Sequence, residues 1–411
     1  MKDSMRKYDF TSILERHGQD AMAVDAIGAP GGFAPAAPEE GFDAIPMWVA
    51  DMNFPTAPSV QEAILARAGH PAFGYFSPRK AYYEAIINWQ RDRNGARGLT
   101  ADCIGYENGV LGGLLSALRV LCSPGDKILL HTPSYVGFTS SVLGSGYHIV
   151  ESPLIYEADQ ASGTWRMDLA DMEKKIRDEH IHAAILCSPH NPCGRVWTRG
   201  ELAQAYAVFE KYDVAVISDE IWSDLLMPGY AHVPAQSVSA YAREHTVALY
   251  APSKTFNLAG LVGSYHIIYN RVLRERVRTE AALTHYNMMN VLSMHALLGA
   301  YSSEGAAWVD ALRGVLGGNV RFAVDYIRRH FEGVTLAEPE GTYMLFPDCG
   351  GWLEAHGKTQ EELERMCWRV GVALQDGKMF QGPSHLRINL ALPLQRVQEA
   401  MDRLDRYVFN A

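Results

Sequence analysis

Nowhere in the 411 residues do five basic residues stand together, and Lys plus Arg are outnumbered, 37 to 47, by Asp plus Glu, for a formal net charge of −10. A phosphate backbone needs a basic face, so no nucleic-acid partner is expected. No apolar run approaches the ~18–20 residues of a membrane span, so no membrane partner is expected either. The opening MKDSMRKYDF carries charges but no apolar h-region, which argues against a secretory signal. No C-x-x-C pair occurs among the six cysteines, Cys103, Cys122, Cys187, Cys193, Cys349 and Cys367. Thiols so scattered fit the reduced cytoplasm better than a disulfide framework. Internal repeats and low-complexity tracts are missing too. The glycine-rich stretch GVLGG is not a phosphate loop of the Walker type, since no G-K-[ST] follows it, and it is not a G-x-G-x-x-G turn.

What remains is ordinary for a soluble globular enzyme, with 48% hydrophobic and 20% charged residues. The length implies two or three domains. Residues 1 to about 55 are irregular and rich in Gly and Pro (AIGAPGGFAPAAPEEGF). Beyond them APSVQEAILARAGH reads as a helix. KAYYEAIINWQRDRNG does so more strongly, with Tyr82, Ile86 and Trp89 at i, i+4 and i+7 and a glycine stop. GVLGGLLSALRVL places Leu111, Leu114, Leu115 and Leu118 on one helical face. Short β-rich runs follow at 127–131, 148–154, 182–188, 214–220, 246–251 and 264–269, most of them separated by helical stretches. Strands without strict alternation, divided by helices, predict an α/β fold with a mainly parallel sheet covered on both faces. Near residue 310 the texture changes toward a smaller α+β region.

In such sheets ligands bind beyond the carboxyl ends of the strands. Asn191 in AILCSPHNPCG, Asp219 in VAVISDEIW and Lys254 in VALYAPSKTF all stand at such ends. Each has an ordinary alternative: a turn for Asn191, a helix cap or turn for Asp219, a snorkelling surface lysine for Lys254. Together, and in this order, they point to one chemistry. A lysine in an apolar pocket has a depressed pKa and becomes a nucleophilic amine, able to bond the aldehyde of pyridoxal 5′-phosphate (PLP). That cofactor is an electron sink only while its ring nitrogen is protonated, and Asp219 can hold the proton. The Asn191 amide suits the ring's phenolate oxygen, and Tyr135 in HTPSYVGF offers an aromatic face. The helix opening at Gly109, Val110 and Leu111 presents backbone N–H groups to a phosphate, with Ser253 as a further donor. Close helix packing is the alternative for that glycine-rich turn.

The stretches SPHNPCGRVW, ISDEIW and SKTFNLAGLVGSY resemble the motif series of fold-type I PLP enzymes, the aspartate-aminotransferase superfamily. PMWVADMNF, FGYFSP and SKTFNLAGL resemble, more narrowly, the MalY/PatB-type carbon–sulfur β-lyases. The resemblance spans nearly the whole chain. It implies a large PLP-binding domain over about 55–300, with a mainly parallel, seven-stranded-type sheet flanked by helices. Residues 1–54 and 301–411 would form the smaller α+β domain. It also implies that Lys254 carries the cofactor, with Asp219 at the ring nitrogen, Asn191 at the phenolate oxygen, Tyr135 on the ring and Trp222 beside it. Tyr75 would reach the phosphate of a neighbouring subunit, making a homodimer with shared active sites. Arg387 in HLRINLALP would clamp the α-carboxylate of an amino-acid substrate, with Ala50 and Asn191 beside it.

The implied reaction is α,β-elimination from L-cystathionine or L-cysteine. Transamination uses the same lysine, aspartate and arginine, so it stays open, as does a PLP-binding regulatory protein acting through partner contacts. Three positions depart from common transaminase patterns: Val262 in place of a phosphate-binding arginine, Ala251 in place of a serine, and Trp222 in place of a tyrosine. For metal, the pairs His180/His182 and His285/His295 lack a third ligand at a supportive spacing, so none is expected. Cys193 reads as a neighbour of the Asn191 loop.

Overall fold

Apolar runs with no alternation must be covered on both faces, and the computed structural model, which describes residues 8–30, 33–158, 163–284 and 287–410, buries them so. The strands up to residue 267 are β1 (Ile45–Pro46), β2 (Ile104–Glu107), β3 (Lys127–Thr132), β4 (His148–Pro153), β5 (Ile155–Ala158), β6 (Gly163–Arg166), β7 (Ala183–Cys187), β8 (Ala215–Asp219), β9 (Thr246–Tyr250) and β10 (Ser264–Ile267). Seven of them form one sheet in the order β2-β10-β9-β8-β7-β3-β4. Neighbours from β9 to β4 run parallel, and β10 is antiparallel to both β9 and β2. Every residue of β7, β9 and β10 is buried. The edge strand β2 went unread in the sequence, because IGYE is short and half polar.

Helices cover the sheet as their apolar stripes require. Lys80–Asn94 buries Tyr82, Ile86 and Trp89 and stops at Gly95, whose φ of 67° is left-handed. Val110–Leu121 buries Leu114 and Leu118 against Ile128, Ile185, Val247 and Leu249. Leu111 and Leu115, expected on that same face, are only half-buried. Leu111 instead lines a cavity at the start of the helix. Leu114 is fully buried, so Leu114→Ala should cost about 2–5 kcal/mol, seen as a lower urea midpoint.

The C-terminal part adds the long helix Ser303–His330 and four short strands, β11 (Met344–Leu345), β12 (Val372–Ala373), β13 (Gln375–Asp376) and β14 (Leu386–Asn389). The order β11-β14-β13 makes a small sheet, and β12 pairs in parallel with β1 through Ile45↔Val372. Thus Ile45, Met47 and Phe54 share a core with Leu374, Ile388 and Met401. Among the described residues no helix is long and apolar enough to cross a membrane. The order of the large sheet reverses between β3 and β7, and the carboxyl ends there open a crevice.

Candidate active site

Each strand around that crevice delivers one polar side chain at its carboxyl end. β3 leads to Tyr135, β7 to Asn191, β8 ends on Asp219, and β9 leads to Lys254. These four line one cavity with Ala50, Val110, Leu111, Trp222 and Ser253. With Gly109, which lines it too, ten of the residues singled out in the sequence are therefore brought together. Cys187, Ile221, Ala259 and Gly263 complete the wall and were not assigned to the site beforehand, together with Val262, noted in the sequence only as standing in place of a phosphate-binding arginine. Of these, Cys187 was legible, being the last residue of a buried strand. Cys193, read as the neighbouring thiol, is buried but does not line the cavity.

The charges are arranged out of water. Burial, with the charge of Arg387, lowers the Lys254 amine to about 8, against the opposing pull of Asp51 and Asp219. Its Nζ donates to the Ala50 carbonyl at 2.8 Å and lies 6.0 Å from the centre of the Trp222 ring. Burial raises the Asp219 carboxyl to about 7, with a further push from Glu220 and opposition from the Ile221 N–H and Lys254. Asp219 Oδ1 accepts that N–H at 3.0 Å.

Arg387 sits behind Asn191 rather than in the cavity wall. Its Nη1 is 3.5 Å from Asn191 Oδ1, and its Nη2 donates to the Trp48 carbonyl at 2.8 Å and to Gln375 Oε1. The Phe380 ring lies against the guanidinium, 4.3 Å from its centroid. Nε is buried with no partner, and among the described residues Arg387 forms no ion pair. A buried cation without an anion is costly, and burial lowers its pKa to about 10.

The helix Val110–Leu121 opens on this cavity with no side-chain cap, and Gly109 at its start has φ 79°, which a glycine adopts without strain. The first-turn N–H groups of such a helix have no partner within it. Gly137 matters differently: a Cβ there would stand 2.4 Å from the Tyr135 ring. Gly137→Ala should displace that ring and weaken retention of any stacked ligand by about tenfold, measured by equilibrium dialysis. Tyr75, by contrast, is fully exposed at 102% and lies apart from the cavity in the single chain.

The histidines divide as well. His285 lies outside the described residues. His182 meets Cys122 and Asp126, their ligand atoms all within 4.8 Å of one another. Spacing along the chain hid this grouping, because β3 and β7 bring its parts together only in the sheet.

Residues 44–404 match the family model for aminotransferase class I and II. The chain belongs to the aminotransferase class I and II family. Among its relatives in that family, the cystathionine beta-lyase PatB of Bacillus subtilis is 32% identical over 399 residues, covering 96% of this chain and 98% of PatB. Protein MalY of Escherichia coli is 27% identical, covering 96% and 97%. Among solved structures, cystalysin from Treponema denticola, which contains a pyridoxal 5′-phosphate cofactor, superposes with a TM-score of 0.89 at 30% identity, over 98% of each chain. The PLP-bound C–S lyase from Staphylococcus hominis does so with a TM-score of 0.86 at 29% identity, again over 98% of each. The fold of these solved structures thus extends over 98% of this class I and II chain.

Proposed function

We propose that this family member is a PLP-dependent carbon–sulfur β-lyase that converts L-cystathionine or L-cysteine to pyruvate, ammonia and a thiol. The observation that carries the reading is the convergence of Lys254 and Asp219 on one cavity, with Arg387, which has no ion pair among the described residues, directly behind its Asn191 wall, in a chain that matches a cystathionine beta-lyase over 96% of its length.

The residues present fit the cofactor. An uncapped helix start at Gly109–Leu111 suits a phosphate, with Ser253 near it. The Tyr135 ring, freed by Gly137, suits an aromatic face. Asp219 is a buried carboxyl whose charge needs a cationic partner, and a protonated ring nitrogen is one. Asn191 supplies a neutral amide for the phenolate oxygen, and Lys254 the amine that anchors the aldehyde. When bound, pyridoxal phosphate supplies an electron sink for negative charge developing at the substrate's Cα.

The chain's own groups do the rest. Arg387, with its planar fork, holds the substrate carboxylate and so fixes which Cα substituent stands across the cavity. Lys254, its amine depressed to about 8 by burial, is largely neutral in mildly alkaline solution and removes the Cα proton as general base. Asp219 holds the ring-nitrogen proton through the reaction. The Cβ–S bond breaks, the Lys254 ammonium returns a proton to the departing sulfur, and the released enamine takes up water to give pyruvate and ammonia. Trp222, at 2% exposure, and the apolar wall keep water from the base.

The test is an assay with L-cystathionine and no keto acid. Pyruvate and thiol appearing in step over many turnovers are expected. Turnover that begins only after a keto acid is added would make the protein a transaminase instead.

Assembly as a homodimer belongs to the same proposal. Tyr75 at 102%, Phe73 at 56% and Met288 at 65% exposure form an apolar face that a second copy suits. Tyr75→Ala should weaken cofactor retention about tenfold if its hydroxyl reaches the neighbouring phosphate, measured together with the solution mass by light scattering. We also place the protein in the cytoplasm, in keeping with six unpaired cysteines.

A further inference from the structure

We infer that Gln375 is a positioning residue that keeps the charge of Arg387 uncommitted, so that the substrate's carboxylate becomes its only counter-ion. The inference rests on the proposed role of Arg387 and adds a residue that no sequence motif marked.

Gln375 on β13 lies directly opposite Arg387 on β14 in the antiparallel register, so both side chains leave the same face of the small sheet. Gln375 Oε1 accepts from Nη2, which also donates to the Trp48 carbonyl at 2.8 Å. One nitrogen of the fork is thereby used up. Nη1 keeps only a 3.5 Å approach to Asn191 Oδ1, and Nε has no partner. The guanidinium is held on a third side by the face of Phe380. Every one of these contacts is neutral, although Arg387 and Gln375 are 3% and 7% exposed. A carboxylate at position 375 would reach as far as the carboxamide and form a charge-assisted pair of its own. The amide gives the tether without the charge. It fixes the orientation of the fork and leaves its electrostatic attraction to a ligand.

The test uses the cofactor-loaded protein and two probes that cannot undergo elimination, L-alanine and ethylamine. They share an amine, and only L-alanine carries a carboxylate. Binding of each is followed by the visible cofactor band, and the ratio of the two dissociation constants reads the clamp alone. Gln375→Glu is expected to lower the preference for L-alanine by about tenfold or more, with ethylamine affinity unchanged. Gln375→Met, which removes the tether and adds no charge, should lower it by about threefold, so the glutamate variant is always the worse. If Gln375→Glu does not fold, the methionine variant decides by itself: an unchanged preference for L-alanine overturns the inference. So does a glutamate variant no worse than the methionine one, or an equal loss for both probes, which would mean a purely structural role. Absence of any spectral response to either amine in the parent protein would instead count against the PLP reading on which the inference rests.

Discussion

Lys254→Ala loses at least about 10³-fold in pyruvate formation and loses the visible band of the lysine-bound cofactor, while the fold survives. The rate falls because the replacement removes both the amine that anchors the aldehyde and the group assigned as base for the Cα proton. Ethylamine added to the variant should restore part of the rate, since a small amine can enter the space left by the side chain. The same substitution stabilises the cofactor-free protein. The folded pKa of Lys254 lies at about 8, below the ordinary 10.5. Below about 8 the amine is charged in both states, and the folded state bears the full cost of desolvation. As the pH rises from about 8 to 10.5 the folded form gives up its proton first, and that cost disappears. The variant should therefore melt higher than the parent at pH 7, and the gap should close by about pH 10.5. A variant that keeps near-parental turnover removes Lys254 from the chemistry.

Asp219→Asn is the second large effect, about a 10²- to 10³-fold loss of turnover, the scale of leaving a buried charge without its partner. An amide cannot hold a proton on a ring nitrogen by charge. Cofactor affinity should fall with it, read by equilibrium dialysis. The sign for stability again opposes that for activity. Burial raises Asp219 from 3.8 to about 7, so the folded state keeps its proton while the unfolded state ionises. Stability contributed by this group falls as the pH rises from 3.8 to about 7 and stays low above that. The cofactor-free asparagine variant should thus melt above the parent at pH 7–8 and level with it near pH 4. Equal melting at both values would mean that Asp219 is hydrated in solution, and the partner role would fail with it.

Parts of the site were legible before any coordinate. Lys254, Asp219 and Asn191 are polar residues that end apolar runs, and a parallel sheet aligns such ends. Gly109 shows as a glycine-rich helix start. Arg387 was not legible from its surroundings alone. HLRINLAL alternates like a strand with one face in solvent, and only the resemblance gave the arginine a role. Leu111 misled through periodicity: the helical stripe is real, but its first member lies at the mouth of the cavity rather than under the helix. Edge strand β2 was missed because its four residues bring too little apolar surface to register as a period.

Other features exist only in three dimensions. Gln375 reaches Arg387 because β13 and β14 pair in one register, and a slip of one residue would turn it to the other face. Trp48 and Ala50 meet residues more than 200 positions away through backbone carbonyls, which any side chain would offer. Asp126 and His182 come together because β3 and β7 are neighbours in space. The amino-acid sequence by itself determined the class of fold and the chemical groups at the strand ends, because hydrophobic period and residue type are local properties. Which of those groups share one dry cavity, which cation lies without a counter-ion, and which neutral amide holds it were decided by strand order and register, which depend on contacts far apart in the chain.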